Sequence, residues 1–161
     1  MDVIKWFKNL TNKKSLTFLI FDIVDFYPSI SQELLSKSLK WAKTFTSISD
    51  IEYRTIMHAR RTLLYDNKNV PWIKREGIKQ FDVSMGAYDG AEICELVGLY
   101  ALNQINDKVK TTSIGLYRDD GLAAIRGTGR TADNTRKTLI QIFKDIGLNI
   151  MVQTNLKSQL P

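Results

Sequence analysis

A chain of 161 residues, 43% hydrophobic and 25% charged, has enough apolar material for a packed core and none of the bias of a disordered or fibrous protein. Its net charge of +6, with a pI near 9.4, suits a polyanionic partner such as nucleic acid. A lone cysteine, Cys94, excludes an internal disulfide framework and a cysteine-based zinc site, and it fits a reducing, intracellular setting. Met1 to Lys8 lacks the apolar stretch of a signal peptide, and no run reaches the roughly 18 apolar residues of a membrane span, so no membrane partner is expected.

Residues 2–10 read as a short amphipathic helix, with Val3, Ile4, Trp6, Phe7 and Leu10 apolar, within an amino-terminal segment 1–14. Residues 16–24 are a nearly continuous apolar run rich in β-branched and aromatic side chains, the pattern of a buried central strand, and they carry one charge, Asp22. Pro28-Ser29 closes that region, and Ser31 caps a helix expected to reach about residue 44. Ser49-Asp50-Ile51-Glu52 has the capping-box pattern and opens a helix expected to run to about Leu64. Asp66 to Asn69 is a turn, and strands are expected over Val70–Lys74 and Gln80–Ser84 around Glu76-Gly77. Residues 89–107 form a helix whose apolar stripe is Ile93, Leu96, Val97, Tyr100, Ala101 and Ile105.

Two short apolar runs follow, joined by Tyr117-Arg118-Asp119-Asp120. The second acid beside a hairpin turn crowds like charge, which is unfavourable unless a cation shares the site, and Asp120-Gly121 supplies the turn chemistry. Residues 131–146 form a last helix, with Leu139, Ile142, Phe143 and Ile146 apolar and Gly147 as its cap, and 148–153 a last strand. Without the small hairpin the order is β-α-β-β-α-β. That predicts an α+β, ferredoxin-like split βαβ fold, one domain over 1–161, with an antiparallel sheet and helices on one face. In it the first strand lies beside the central hairpin, so Asp22 approaches Asp119 and Asp120.

Three carboxylates at strand ends are hard oxygen ligands suited to Mg²⁺ or Mn²⁺. Two such ions about 4 Å apart can activate an attacking oxygen and stabilise a leaving one in phosphoryl displacement. An Asp in an otherwise apolar strand is unfavourable by several kcal/mol if unpaired, so Asp22 needs a partner.

Phe21-Asp22-Ile23-Val24-Asp25-Phe26-Tyr27 resembles the first palm motif of reverse transcriptases, and Tyr117 to Asp120 resembles their Tyr-x-Asp-Asp box. Ser84 to Gly90 stands where that family carries a Gly-bearing substrate loop, and Phe143 to Leu148 is similar to the helix-Gly-Leu element after the box. The resemblance covers residues 16–157. It implies an RNA-directed DNA polymerase palm of a retroelement, acting on a nucleic-acid template-primer and dNTPs with two Mg²⁺ or Mn²⁺ ions.

Carried over by position, Asp22, Asp119 and Asp120 are the catalytic and metal-binding residues. Tyr27 is the aromatic gate under the sugar, Gly86 the point of close backbone approach, and Asp25 a peripheral site residue. Met85 stands where the family has Gln. Lys157 falls near the position of a lysine that protonates pyrophosphate, although a solvated lysine is the simpler reading. Arg118, Lys74, Arg75, Lys79, Arg60 and Arg61 are candidate phosphate contacts, with Arg60-Arg61 better read as a solvated face; Trp72 stacks on a base or packs. The family's fingers and thumb are largely missing, which implies a fragment, a truncated copy or one part of a larger polymerase or polyprotein.

Two other readings compete. Phe26-Tyr27-Pro28-Ser29-Ile30 is similar to a signature of family-B DNA polymerases, but that family's Asp-Thr-Asp box is absent. A non-catalytic ferredoxin-like module that binds nucleic acid or protein is the third.

Overall fold

The computed structural model describes residues 3–61, 64–72, 81, 83–84, 86–109 and 112–155. The chain gathers into two compact units: residues 1–24 with 101–161, and residues 25–100. Its elements, in order, are α1 (Val3–Asn9), β1 (Leu16–Ile23), α2 (Phe26–Ser29), α3 (Gln32–Ala42), α4 (Asp50–Ala59), β2 (Leu64–Tyr65), β3 (Pro71–Trp72), α5 (Gly90–Lys108), β4 (Thr112–Tyr117), β5 (Asp120–Arg126), α6 (Gly129–Asp145) and β6 (Ile150–Asn155).

The first unit is built on a four-stranded sheet of order β4-β5-β1-β6, antiparallel at every pairing. With α5 and α6 as the connections, this is the split βαβ topology. Alternation along β1 sets its two faces. Phe21 meets Phe143 of α6 edge-on at 5.6 Å, so α6 covers the face that carries Leu19, Phe21 and Ile23. Ala132, Thr135, Leu139, Ile142 and Phe143 form the buried stripe of α6.

Gly147 ends α6 with φ at 85°; its N–H donates to Lys144 O and the Leu148 N–H donates to Phe143 O, the paired bonds of a Schellman cap. Leu148 is buried and belongs to that cap, so β6 starts at Ile150, two residues later than its apolar pattern predicts. The opposite face carries Leu16, Phe18, Ile20 and Asp22. There α1 rests Trp6, Phe7 and Leu10 against Leu16, Phe18 and Ala124, with Phe7 and Phe18 5.8 Å apart.

In the second unit Ser31 accepts from the Leu34 N–H at 3.1 Å and starts α3. Ser49 and Glu52 form the reciprocal capping box that starts α4. Phe26, Ile30, Leu34, Leu35, Leu39, Ile93, Cys94 and Val97 are buried in it, and Trp41 meets Phe45 and Tyr100 edge-on.

Two expectations change here. Helix α4 ends at Ala59, not Leu64, and Leu64-Tyr65 pairs with Pro71-Trp72 across the Asp66–Asn69 turn. The Asp66 carboxylate accepts from the N–H groups of Lys68 and Val70, which fixes that turn. Of the two strands expected over Val70–Lys74 and Gln80–Ser84, Pro71-Trp72 is extended, residues 81, 83 and 84 are not strand, and 73–80 lie outside the described residues.

Candidate active site

The end of β1 is held on both sides. The Ile23 N–H donates to Asp119 O at 2.9 Å, and the Val24 N–H donates to Asn149 O at 2.9 Å. On the β5 side the register sets Asp22 directly opposite Asp120, a placement that brings two Cβ atoms to about 5 Å. Tyr117 pairs with Asp120, so the hairpin loop is the two residues Arg118-Asp119. The turn is therefore not made by Asp120-Gly121, as its dipeptide chemistry predicts. Asp120 opens β5, and Gly121 is a strand residue paired with Phe21. A Cβ on Gly121 would run into the Phe21 ring, so glycine is needed here for space, not for turning.

The turn residue out of the ordinary is Arg118, at φ 54°. Positive φ at the first of two loop residues alone is the type II′ pattern, in which glycine is the usual occupant. A non-glycine there is unfavourable by about 1–2 kcal/mol. The Arg118 guanidinium lies 5.4 Å from the centre of the exposed Tyr117 ring.

Asp119 and Asp120 are exposed and Asp22 is half-buried. Burial pushes the Asp22 carboxyl above its ordinary value of 3.8, and the charges of Asp119 and Asp120 push it further the same way. Asp22 thus lies within electrostatic reach of both hairpin acids. Among the described residues, no three His, Cys, Asp or Glu side chains stand close enough together to hold a metal ion. The register places Asp22 opposite Asp120, with Asp119 in the adjoining turn, but their carboxylates are not gathered into a metal-binding cluster.

Asp25, Tyr27 and Gly86 belong to the second unit. Asp25 is exposed, at φ 48°, ahead of α2, and its side chain makes no capping bond. Tyr27 lies within α2, half-buried, its ring 6.4 Å from that of Phe26. Gly86 is exposed in the turn before α5 and has open space where a side chain would stand.

The residue that sequence reasoning misplaced is Arg60. It is 5% exposed, not part of a solvated face, and its guanidinium pairs with the Asp89 carboxylate. Its Nε finds no hydrogen-bond partner among the described residues. Asp89 offers its backbone oxygen to the Ile93 N–H, at the start of α5, while its carboxylate goes to Arg60. Arg60 therefore pins the turn that carries Gly86. A pairing across 29 residues leaves no local signature. Arg61 donates to Gln32 Oε1 at 2.9 Å. Lys74, Arg75, Lys79, Met85 and Lys157 lie outside the described residues, and so does the side chain of Trp72.

No family model matches the chain, and no curated protein matches it. Among solved structures it is similar to apo telomerase from Candida tropicalis truncated from its C-terminal domain, with a TM-score of 0.59 and 14% identity. That match covers 99% of this chain and 34% of the telomerase chain, so the chain spans about a third of its neighbour's length. The likeness is one of fold alone. Among the described residues no helix is long and apolar enough to cross a membrane.

Proposed function

We propose that the chain is the palm of an RNA-directed DNA polymerase of retroelement kind, part of a larger polymerase that takes a nucleic-acid template-primer and dNTPs. The observation that carries this reading is the register: Asp22 opposite Asp120, with Asp119 in the adjoining turn and bonded to the end of β1. The likeness of fold to a telomerase and the net charge of +6 support it.

Asp22, Asp119 and Asp120 would hold Mg²⁺ or Mn²⁺, which supplies charge neutralisation and activation of the primer hydroxyl during nucleotidyl transfer. The chain's own part is positional. The two backbone bonds at Ile23 and Val24 fix the β1 end, and the hairpin turn presents Asp119 beside it. Tyr27, from α2, serves as the sugar gate: a flat ring against C2′ leaves no room for a ribonucleotide's 2′-hydroxyl. Gly86 gives the nucleotide or base pair room to approach the backbone, in a turn anchored by Arg60 and Asp89.

The test is primer extension on matched RNA and DNA templates, with the chain joined to fingers and thumb domains. Extension on RNA that falls at least about 10²-fold in Asp119→Asn is the expected result. No extension on either template by folded protein would sink the polymerase reading, and extension on DNA alone would make it a DNA-directed enzyme. Tyr27→Ala is expected to admit rNTPs; unchanged sugar selectivity refutes the gate.

A further inference from the structure

The sheet face that bears Asp22 has two ends of opposite charge. Residues paired directly across strands share a face, so Leu16, Phe18, Ile20 and Asp22 lie there with Arg126, Ala124, Leu122 and Asp120. The carboxylates stand at one end. The other end lies six residues back along β1, about 20 Å at about 3.4 Å per residue. It gathers Lys8, Lys13, Lys14 and Arg126.

Definite contacts hold that cluster together. Helix α1 is seated on Leu16, Phe18 and Ala124 by Trp6, Phe7 and Leu10. The Lys13 ammonium donates to the carbonyls of Lys8 and Leu10 and folds the following turn back on the helix. Arg126 donates from Nη2 to the Thr11 carbonyl at 3.0 Å and to its hydroxyl at 2.7 Å, tying the end of β5 to the same turn. Lys8, Lys14 and Arg126 are exposed. Residues 3–21 and 121–126, which build this end, contain no Asp or Glu.

We propose that this basic end is a second nucleic-acid contact, holding the phosphate backbone of a duplex whose growing end lies at Asp22, Asp119 and Asp120. The inference rests on the polymerase reading and adds a site to it. About 20 Å along a duplex, at about 3.4 Å per step, places the contact about six base pairs from the reacting end. A lipid surface fits less well. The apolar residues Trp6, Phe7 and Leu10, which would enter a membrane, are turned onto the sheet.

The experiment measures binding of the 161-residue chain to hairpin-closed duplexes of about 4 and about 12 base pairs, lengths chosen to bracket the expected span. Fluorescence anisotropy is read across a salt series, with EDTA present and no dNTP, so that catalysis plays no part. The long duplex is expected to bind more tightly and with a steeper salt slope. Combined Lys8→Gln and Lys14→Gln should reduce that slope by about 2 and weaken long-duplex binding at least about tenfold near 0.1 M salt. The short duplex should change little. Circular dichroism checks folding, and the single exposed substitutions Lys8→Glu and Lys14→Glu should act in the same direction should the combined variant not fold.

Equal binding of both lengths, or long-duplex binding that the substitutions leave unchanged, overturns the proposal. So does a variant that loses only its binding to vesicles of phosphatidylserine and phosphatidylcholine, which would make the patch a membrane contact. A loss of duplex binding in a protein that never extends a primer keeps this site and removes the polymerase reading; the reverse result keeps that reading and removes this site.

Discussion

The two ends of the β1–β5 pair follow opposite physical rules. At the Leu16 end local interactions agree: an apolar helix face covers apolar strand residues, lysine and arginine donors meet backbone carbonyls, and the charges face outward. At the Asp22 end they conflict. A half-buried carboxylate stands opposite another, a third is next to it, and the turn that presents them puts Arg118 where glycine is favoured. Sequences mostly satisfy local rules, and violations clustered at one strand end are what the proposed metal site would require. The fold can hold this arrangement because the Ile23 and Val24 N–H groups anchor the same strand end on both sides.

This contrast can be broken at its centre. Asp22→Asn is expected to reduce nucleotidyl transfer by at least about 10²-fold while raising stability at neutral pH. The sign follows from the raised carboxyl. The folded state holds the Asp22 proton more tightly than the unfolded chain does. The resulting stability is complete below the ordinary value of 3.8 and is lost as pH rises through the higher folded value. Above that range the ionised acid opposes folding, and Asn removes the charge. Melting curves of the two proteins should therefore separate at pH 7, with the variant higher, and converge below 3.8. A variant that melts lower at pH 7 would refute the conflict.

Next in size, Gly121→Ala should destabilise by about 1–3 kcal/mol in denaturant unfolding, because the new methyl displaces Phe21 from its place against Phe143. A neutral result would show that the ring yields freely. Arg118→Gly should stabilise by up to about 1 kcal/mol, the relief of positive φ less the entropy of glycine. Loss of stability would mean that the turn is not strained.

The smallest effect lies on α6, far from either end in character. The Asp133 carboxyl is held below its ordinary value by hydrogen bonds from Lys137 and then Arg136. That contribution is present above 3.8 and is lost as pH falls through the lowered value. Asp133→Asn should melt slightly lower at pH 7, and the gap should close in acid. A gap that persists there points to packing instead of charge.

Much of this architecture can be read directly from local chemistry. The apolar run of β1 with its single acid, the Ser31 cap, the Ser49–Glu52 box and the Gly147 stop each depend on residues within a few positions of one another. For the same reason the order of elements foretells the sheet order and the meeting of Asp22 with Asp120. Where reading failed, a distant partner decided. Residues Leu64-Tyr65 continue a plausible helix by composition, but they pair with Pro71-Trp72 across a turn fixed by Asp66. Gly121 looks like a turn glycine beside an Asp, but its role comes from a Phe21 ring on another strand.

Hydrophobic period and capping chemistry act over one to four residues, so they mark β1, the hairpin strands and the capped helices in advance. Folding at long range buries Arg60 against Asp89, turns the hairpin through Arg118-Asp119 and ties Arg126 to the Thr11 turn after α1. Those outcomes depend on strand register and packing between segments far apart in the chain, where no local preference records which partner will be met.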